Sequence, residues 1–461
     1  MRPLNFGILR KSAVNLCILA LVGNSFLHAE ATKLPNMVIF ISDDHTLTDS
    51  SVYGSKDLAT PNMARVAAAG MTFEDAFAAS PSCAPSRAAI LTGLMPAKNG
   101  AEPNHAAPRP EIKKLPAYLQ ELGYEVVAFG KVGHYVQTKD YGFDLSEHNK
   151  FHEDIAIPAA LDWLRDRKSD KPLCLFVGTN WPHVPWPQKH EDYNPAEITI
   201  PANHVDTPVT RNARASYYAA VKRMDDELGE VYDLAQEKFG EDLFFMQFSD
   251  QGAQWPFGKW CLYDNGLRTP LLAVWPGHVK PASHSDAMVS LIDVLPTLVD
   301  VAGGTPPKDI DGESFADVLE GKTTTHRDKI YATHSGDGDF NVYPSRCVRD
   351  ARWKYILNLH PEFEFNSHVT LKDKLGIPYW NSWVKKAKTN ADAAMKVKRY
   401  QQRPKEELYD LATDPLEQHN LADNPDCADR LEAMRADLKS WMEQQGDKQT
   451  VYGHPKLLSQ D

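Results

Sequence analysis

Met37-Val38-Ile39-Phe40-Ile41 runs without a polar side chain into Ser42-Asp43-Asp44, and this junction decides how the chain is built. An apolar run of this length, rich in β-branched and aromatic residues, fits a strand buried on both faces. Four more runs of the same kind occur: Val126-Val127-Ala128-Phe129, Leu173-Cys174-Leu175-Phe176-Val177, Phe244-Phe245-Met246-Gln247-Phe248 and Leu271-Leu272-Ala273-Val274. Helical patterns lie between them, near Asn62 to Ala69, Leu115 to Leu122, Ile157 to Arg165 and Ala213 to Lys238. The alternation predicts an α/β fold with a mostly parallel central sheet flanked by helices. In such sheets chemistry collects beyond the carboxyl ends of the strands. Three of the runs lead directly into polar residues there: Asp43 and Asp44, Lys131 and His134, Asp250 and Gln251. A fourth leads to His183.

Working outward, the pattern breaks after the helical segment from Leu291 to Val301, at Gly303-Gly304 and Pro306-Pro307. Strand-like runs such as Cys347-Val348-Arg349 and Trp353-Lys354-Tyr355-Ile356-Leu357 come next, then a helical stretch near Asp426 to Glu443. They predict a smaller α+β domain over 341–461 behind a main domain over 32–340. At the other end, Arg2, Arg10 and Lys11 precede an apolar stretch from Ala13 to Val22 and the small-residue run Ala29-Glu30-Ala31. Residues 1–31 therefore read as a secretory signal peptide, with the protein exported to the periplasm or secreted. The apolar stretch is short of the roughly 20 residues needed to span a bilayer, so no membrane insertion is expected.

Of 461 residues, 42% are hydrophobic and 24% charged, an ordinary globular composition with enough apolar mass for a large core. The formal net charge of -12 argues against nucleic acid as a partner and against anionic membranes. Beyond the signal, Cys83, Cys174, Cys261, Cys347 and Cys427 are dispersed and include no C-x-x-C pair, which speaks against a disulfide framework and against a zinc site. One local basic and aromatic stretch stands out, from Trp380 and Trp383 through Lys385, Lys386, Lys388, Lys396, Lys398, Arg399 and Arg403. It reads either as a surface for a polyanionic sugar or as a solvated helix face.

Asp43 and Asp44 place two carboxylates side by side at the end of an apolar strand. Two like charges about 4 Å apart repel by about 4 kcal/mol at an effective dielectric near 20. A divalent cation reverses that sign, and an all-oxygen set of donors favours Ca²⁺ or Mg²⁺ over zinc. The alternative is a helix-capping turn.

Cys83-Ala84-Pro85-Ser86-Arg87, followed by Leu91-Thr92-Gly93, resembles the C-x-P-S-R signature of the type I, formylglycine-dependent sulfatases of the alkaline phosphatase superfamily. The resemblance implies that Cys83 is oxidised after synthesis to formylglycine by a formylglycine-generating or anaerobic maturase enzyme. The aldehyde hydrates to a diol whose hydroxyl attacks sulfur and whose second oxygen expels sulfate. It further implies one Ca²⁺ bound by Asp43, Asp44, Asp250, Gln251 and the modified Cys83. Gln251 stands where the family has Asn or His, and its side chain is longer by a methylene. Arg87 is implied beside the diol and the metal. Lys131-Val132-Gly133-His134 is similar to the family's G-K-x-H element, with one residue more between lysine and histidine; Lys131 would hold the sulfate and His134 would bond the formylglycine. Trp181-Pro182-His183-Val184-Pro185 resembles the P-H-x-P element, which makes His183 the donor to the leaving group. Gly258-Lys259-Trp260 with Gly266-Leu267-Arg268-Thr269-Pro270 matches G-K-x-x-x-Y-x-x-G-x-R-x-P, putting Lys259 on the sulfate and leaving Arg268 structural.

The resemblance spans nearly the whole mature chain, to Glu407-Leu408-Tyr409-Asp410-Leu411 and Asp414-Pro415. Ser290 to Thr297, Tyr343-Pro344-Ser345-Arg346 and Tyr355 to Leu359 are most similar to the N-sulfoglucosamine sulfohydrolase (heparan sulfamidase) branch. That similarity brings Arg346 and His360 toward the sugar and implies hydrolysis of an O- or N-sulfate from a sulfated carbohydrate. A phosphonate or phosphate monoester hydrolase on the same scaffold is the enzymatic alternative, and an inactive polysaccharide-binding relative is the alternative from another class. Asp309-Ile310-Asp311-Gly312-Glu313 opens like a calcium loop, but its glycine comes too early for one and it reads as a turn. Asp337-Gly338-Asp339 reads as a loop whose place before the second domain brings it toward a substrate.

Overall fold

A computed structural model describes residues 34–148, 155–190, 192–371 and 379–460; the expected signal peptide lies outside the described residues. Residues Leu34–Asp461 form one compact unit. Ten strands come first: β1 (Asn36–Ser42), β2 (Met71–Phe73), β3 (Ala76–Phe77), β4 (Glu125–Gly130), β5 (Leu145–Glu147), β6 (Leu173–Gly178), β7 (Leu243–Ser249), β8 (Leu271–Val274), β9 (Ser283–Ser285) and β10 (Val289–Ser290). Four more follow among the described residues: β11 (Lys329–His334), β12 (Ser345–Asp350), β13 (Trp353–Asn358) and β14 (Glu406–Asp410).

The central sheet has the order β5-β4-β6-β1-β7-β8-β2-β9. Its five strands from β5 to β7 are parallel, and only β8 runs antiparallel to both neighbours. All five apolar runs read from the sequence are strands of this sheet. The short strands β2 and β9, three residues each, escape sequence reading because they are shorter than any usable periodicity.

Alternation along β1 splits the core into two layers. Val38 and Phe40 pack with Met63 and Val66 of helix Pro61–Ala69, Leu161 and Leu164 of helix Ala156–Asp166, and Val221, Met224 and Leu228 of helix Pro208–Phe239. Met37, Ile39 and Ile41 face the other way, onto Leu115 and Leu119, onto Val294, Leu295 and Leu298, and onto Ile90 and Leu91. The 32-residue helix Pro208–Phe239 starts cleanly, with the Thr207 side chain accepting the N–H of Thr210 and proline in the first turn.

Strands β11 to β14 form a second, antiparallel sheet in sequence order, covered by helix Ala428–Gln445 through Leu431, Met434 and Leu438. Strand β11 belongs to this sheet although it precedes residue 341. The mixed α/β fold with a small C-terminal α+β sheet is the class the sequence predicts. No helix among the described residues is long and apolar enough to cross a membrane.

The basic and aromatic stretch resolves into packing. Trp380 and Trp383 are buried, with the Trp383 indole donating to Thr210 Oγ1 at 2.9 Å. Arg403 is buried 3.5 Å over the Phe365 ring, and Lys396 donates to His204 O and Asp392. Lys385, Lys388 and Lys398 are left on the solvent side. Asp311 accepts from the Met95 N–H at 2.9 Å and from Lys98 at 2.6 Å, as a turn residue does.

Candidate active site

Strands β4, β6, β1 and β7 are consecutive in the sheet and parallel, so their carboxyl ends share one edge. Hydrogen bonds across that edge hold the segments that leave the strands. Lys131 N donates to Gly178 O at 2.9 Å, Asp43 N to Trp181 O at 3.0 Å and Asp250 N to Ser42 O at 3.1 Å. Lys131, His183, the Asp43-Asp44 pair and Asp250-Gln251 are thereby delivered to one place. Asp44 has φ +67°, in the left-handed region that aspartate tolerates better than most residues.

Cys83 opens helix Cys83–Thr92, whose ten residues are all buried. Its polar side chains are satisfied inside: Ser86 Oγ donates to Asp250 O at 2.5 Å, Thr92 Oγ1 to Ala88 O at 2.7 Å, and Arg87 pairs with Asp250. Pro85 sits in its first turn, where no amide donor is needed, and Gly93 closes it in the left-handed conformation with its N–H on Ala89 O. Asn104 Oδ1 accepts the N–H of Ala84 at 3.1 Å, satisfying one of the open donors of the first turn. The positive end of the helix points at the cluster.

Cys83 Sγ lies 3.7 Å from Asp43 Oδ1, 4.0 Å from Asp44 Oδ1, 3.8 Å from Lys131 Nζ and 3.3 Å from Gln251 Nε2. Each carboxylate has a cation of the chain against it. Lys131 donates to Asp43. Lys259 Nζ sits 2.7 and 2.8 Å from the two oxygens of Asp44. Arg87 places Nε and Nη2 at 2.8 Å on Asp250 Oδ2, with Nη2 also 3.4 Å from Asp43 Oδ1. His183 Nε2 is 3.7 Å from Asp44 Oδ2, while its Nδ1 is 2.6 Å from Val184 O, so Nδ1 carries a proton and Nε2 faces the cluster. His134 is buried and lines the same cavity as Cys83, His183 and Lys259.

Burial opposes ionisation of all three carboxylates, and the chain's own cations offset it unevenly. At Asp43 the charges of Lys131, His183 and Arg87 outweigh burial and hold the carboxyl well below its usual range. At Asp44, burial together with the neighbouring Asp43 outweighs Lys259, and the carboxyl is raised. Asp250 is pushed up to about 7 by burial despite Arg87. Asp43, Asp44, Cys83 and His183 offer donor atoms within 4.8 Å of one another. Gln251 Oε1 is buried with no hydrogen-bond partner, its Nε2 facing Asp44 at 2.5 Å instead. An orphaned carbonyl beside under-compensated carboxylates is what an oxygen-bound divalent cation would satisfy.

Burial pushes the Cys83 thiol up to about 12, against the pull of Lys131 and Lys259. A thiol at that value is ionised to about one part in 10⁵ at pH 7. As cysteine, this residue is therefore a poor nucleophile in spite of the cations around it.

Arg346 does not line this cavity. It is fully buried, with its guanidinium on Asp447 and Nη1 donating to His334 O and Ser345 O, each at 2.9 Å. His360 pairs with Glu362 at 2.9 Å and stacks on Phe363. Arg268 lies off the site on Asp75 and Glu74 O. Sequence reasoning missed Asn104, His105, Tyr135, Gln254 and His368 as cavity residues. Asn104, His105 and Gln254 sit in loops, and Tyr135 and His368 open the short helices Tyr135–Tyr141 and His368–Leu371; none shows a repeating pattern, and contacts far apart in the chain gather them. Asp337, read only as a loop near a substrate, and Trp260 line the cavity as well.

A buried cysteine at a helix start, facing acids and a lysine from the ends of β1, β4 and β7, with His183 after β6 and Lys259 in the loop after β7, makes a candidate hydrolase site. Residues 35–304 match the sulfatase family, and residues 252–373 match the C-terminal region of N-sulphoglucosamine sulphohydrolases. An ulvan-active sulfatase of Formosa agariphila is 33% identical over 426 residues, covering 90% of this chain and 81% of that protein. Human N-sulphoglucosamine sulphohydrolase is 26% identical over 88% of this chain and 89% of its own length. Among solved structures, the phosphonate monoester hydrolase of Agrobacterium radiobacter superposes with a TM-score of 0.69 at 18% identity, over 89% of this chain and 96% of that one; that likeness is one of fold. The chain belongs to the sulfatase family and is a sulfuric ester hydrolase.

Proposed function

We propose that this enzyme releases sulfate from a sulfated saccharide, using Cys83 in its formylglycine form and one Ca²⁺ held by Asp43, Asp44, Asp250 and Gln251. The observation that carries the reading is the Cys83 thiol. Its Sγ sits at the focus of the site, within 4.0 Å of Asp43, Asp44, Lys131 and Gln251, and burial pushes the thiol up, so an oxygen nucleophile made from it accounts for the position better than a thiolate does. When present, the hydrated aldehyde supplies a hydroxyl to attack sulfur and a second hydroxyl to expel sulfate, and the cation supplies fixed positive charge beside it. Saccharide specificity is inferred from the ulvan-active and N-sulphoglucosamine relatives.

The chain's own groups divide the remaining work. Lys131 and Lys259 bind the sulfonyl oxygens, and Arg87 holds Asp250 and Asp43 in place. His134 closes the nucleophile side as a neutral ring, because burial and then Lys131 hold its pKa well below the ordinary value. His183 Nε2 carries the proton for the departing saccharide oxygen, contributing about 10²–10⁴-fold.

The mass of the Cys83 peptide from protein expressed with a maturase tests the reading; conversion lowers it by about 18 Da, as oxygen is gained and hydrogen sulfide lost. Parallel assays on 4-nitrophenyl sulfate and phenyl phosphonate separate sulfate from phosphonate hydrolysis. An unconverted Cys83 in active protein would sink the proposal.

Gly178 provides a milder test. A Cβ there would lie 2.2 Å from Lys131 O and 2.9 Å from Val132 N, so Gly178→Ala has to displace the segment carrying Lys131. A shift near 1 Å is expected to lower kcat/KM for 4-nitrophenyl sulfate by about 10²-fold, measured by initial rates on protein of unchanged far-ultraviolet circular dichroism.

A further inference from the structure

The cavity above Cys83 has a volume of about 170 Å³, the space of roughly six waters at about 30 Å³ each. That is room for a sulfate group and part of one sugar ring. Beyond the sulfate, a saccharide has to meet the wall of that cavity, and the wall holds a cluster that sulfate binding leaves unused. Its centre is Asp337, a carboxylate almost wholly buried. Asp337 Oδ2 accepts from Trp260 Nε1 at 2.9 Å and lies 3.2 Å from His368 Nε2, while Oδ1 lies 3.2 Å from His105 Nε2. Burial opposes its charge, yet His105 and His368 hold the carboxyl far below its usual range.

An ionised carboxylate demands N–H at Nε2 of both rings, leaving Nδ1 of each for a ligand. His368 is stacked between Trp260, at 5.2 Å and 13°, and Phe340, at 4.3 Å and 25°. Phe340 is 51% exposed, so part of its ring is open to solvent beside His368. Gln254 Nε2 is buried in the same cavity with no hydrogen-bond partner. The cluster is tied to the nucleophile: Asn104, whose side chain bonds the first turn of the Cys83 helix, donates its own N–H to Gly336 O at 2.8 Å.

Resting on the sulfatase reading above, we infer that the Asp337 loop builds the saccharide subsite. Asp337 is a positioning residue that sets the tautomers of His105 and His368 so that their Nδ1 atoms meet sugar hydroxyls. The Gln254 amide donates to another hydroxyl, and the exposed Phe340 ring lies under the apolar face of a pyranose. An isolated buried donor or acceptor rejects a ligand that cannot pair with it, so this cluster discriminates saccharide from simple aryl sulfates.

The test compares kcat/KM on ulvan oligosaccharides and glucosamine 2-N-sulfate with kcat/KM on 4-nitrophenyl sulfate, for the wild-type holoenzyme, Asp337→Asn and Phe340→Ala. The saccharide-to-aryl ratio is expected to fall about tenfold or more in Asp337→Asn, equivalent to the loss of about one good hydrogen bond, and the fall should lie mainly in KM. Phe340→Ala, at an exposed site without folding risk, should lower the same ratio. Parallel loss on both substrate types, or an unchanged ratio in both variants, overturns the inference and leaves the sulfatase reading intact. Wild-type turnover of the aryl sulfate but of neither saccharide overturns the saccharide assignment and the subsite with it. A wild-type enzyme inactive on every sulfate overturns the sulfatase reading itself.

Discussion

Cys83→Ala abolishes sulfate release, with kcat/KM falling by about 10⁴-fold or more, because every other group of the site acts on a nucleophile that is no longer there. The fold should survive. The substitution deletes one buried sulfur, a packing loss of about 1 kcal/mol on the scale of a methylene. The cations that the sulfur faced keep their carboxylate partners, Lys131 on Asp43 and Lys259 on Asp44. Cys83→Ser separates attack from release. Its hydroxyl can form one bond to sulfur while the bond from sulfur to the saccharide oxygen breaks; that oxygen takes a proton from His183, and the proton given up by the serine hydroxyl replaces it, so the net change is serine sulfate plus free saccharide hydroxyl. A serine has no second oxygen on its β-carbon to push the sulfuryl group out again, so the variant is expected to gain about 80 Da on incubation with substrate and to stop after one turnover. Intact-mass spectrometry reads both outcomes. Multiple turnovers by Cys83→Ser would show that no second oxygen is needed on residue 83, and full activity in Cys83→Ala would remove residue 83 from the chemistry.

The parts of the site that can be read in the sequence are those tied to strand ends. Apolar runs announce β1, β4, β6 and β7, and a polar residue directly after such a run has few places to go except the carboxyl edge of the sheet. Asp43, Asp44, Lys131, Asp250 and Gln251 are therefore legible together. Arg346 is not. It lies on β12 within a local motif, whereas its partner Asp447 is 101 residues further on, and nothing local records that pairing. The basic stretch after Trp380 is ambiguous for a similar reason. Lysines and tryptophans at helical spacing describe an amphipathic helix equally well whether its outer face meets water or sugar, and the buried side of Trp383 is set by Thr210 on a distant helix. Asp337 shows the converse: its loop is visible as a loop, but its three donors come from residues 105, 260 and 368, a convergence only the folded chain contains.

Lys131→Ala should uncouple stability from activity in a way that calcium reveals. Lys131 serves Asp43 in the structure and, on our reading, the sulfate during reaction. Without it and without a divalent cation, Asp43 is a buried carboxylate whose largest favourable charge has gone. Truncating one partner of a buried pair typically costs about 3–5 kcal/mol. The variant in chelator should therefore melt well below the wild type, whose Lys131 and Lys259 keep Asp43 and Asp44 paired and leave its melting temperature less dependent on calcium. Millimolar Ca²⁺ binds the folded state and restores the variant toward wild-type stability, by mass action on a site whose carboxylates need the charge most when the lysine is absent. Sulfate release should not return with it. The sulfonyl oxygens still lack one of their two lysines, a loss of about 10²–10³-fold for a single preorganised electrostatic contact. Differential scanning calorimetry with and without Ca²⁺, beside initial rates on 4-nitrophenyl sulfate, measures the two effects separately. Equal thermal shifts by Ca²⁺ in both proteins would show that Lys131 and the cation do not share Asp43, and activity recovered along with stability would confine the lysine to a structural part.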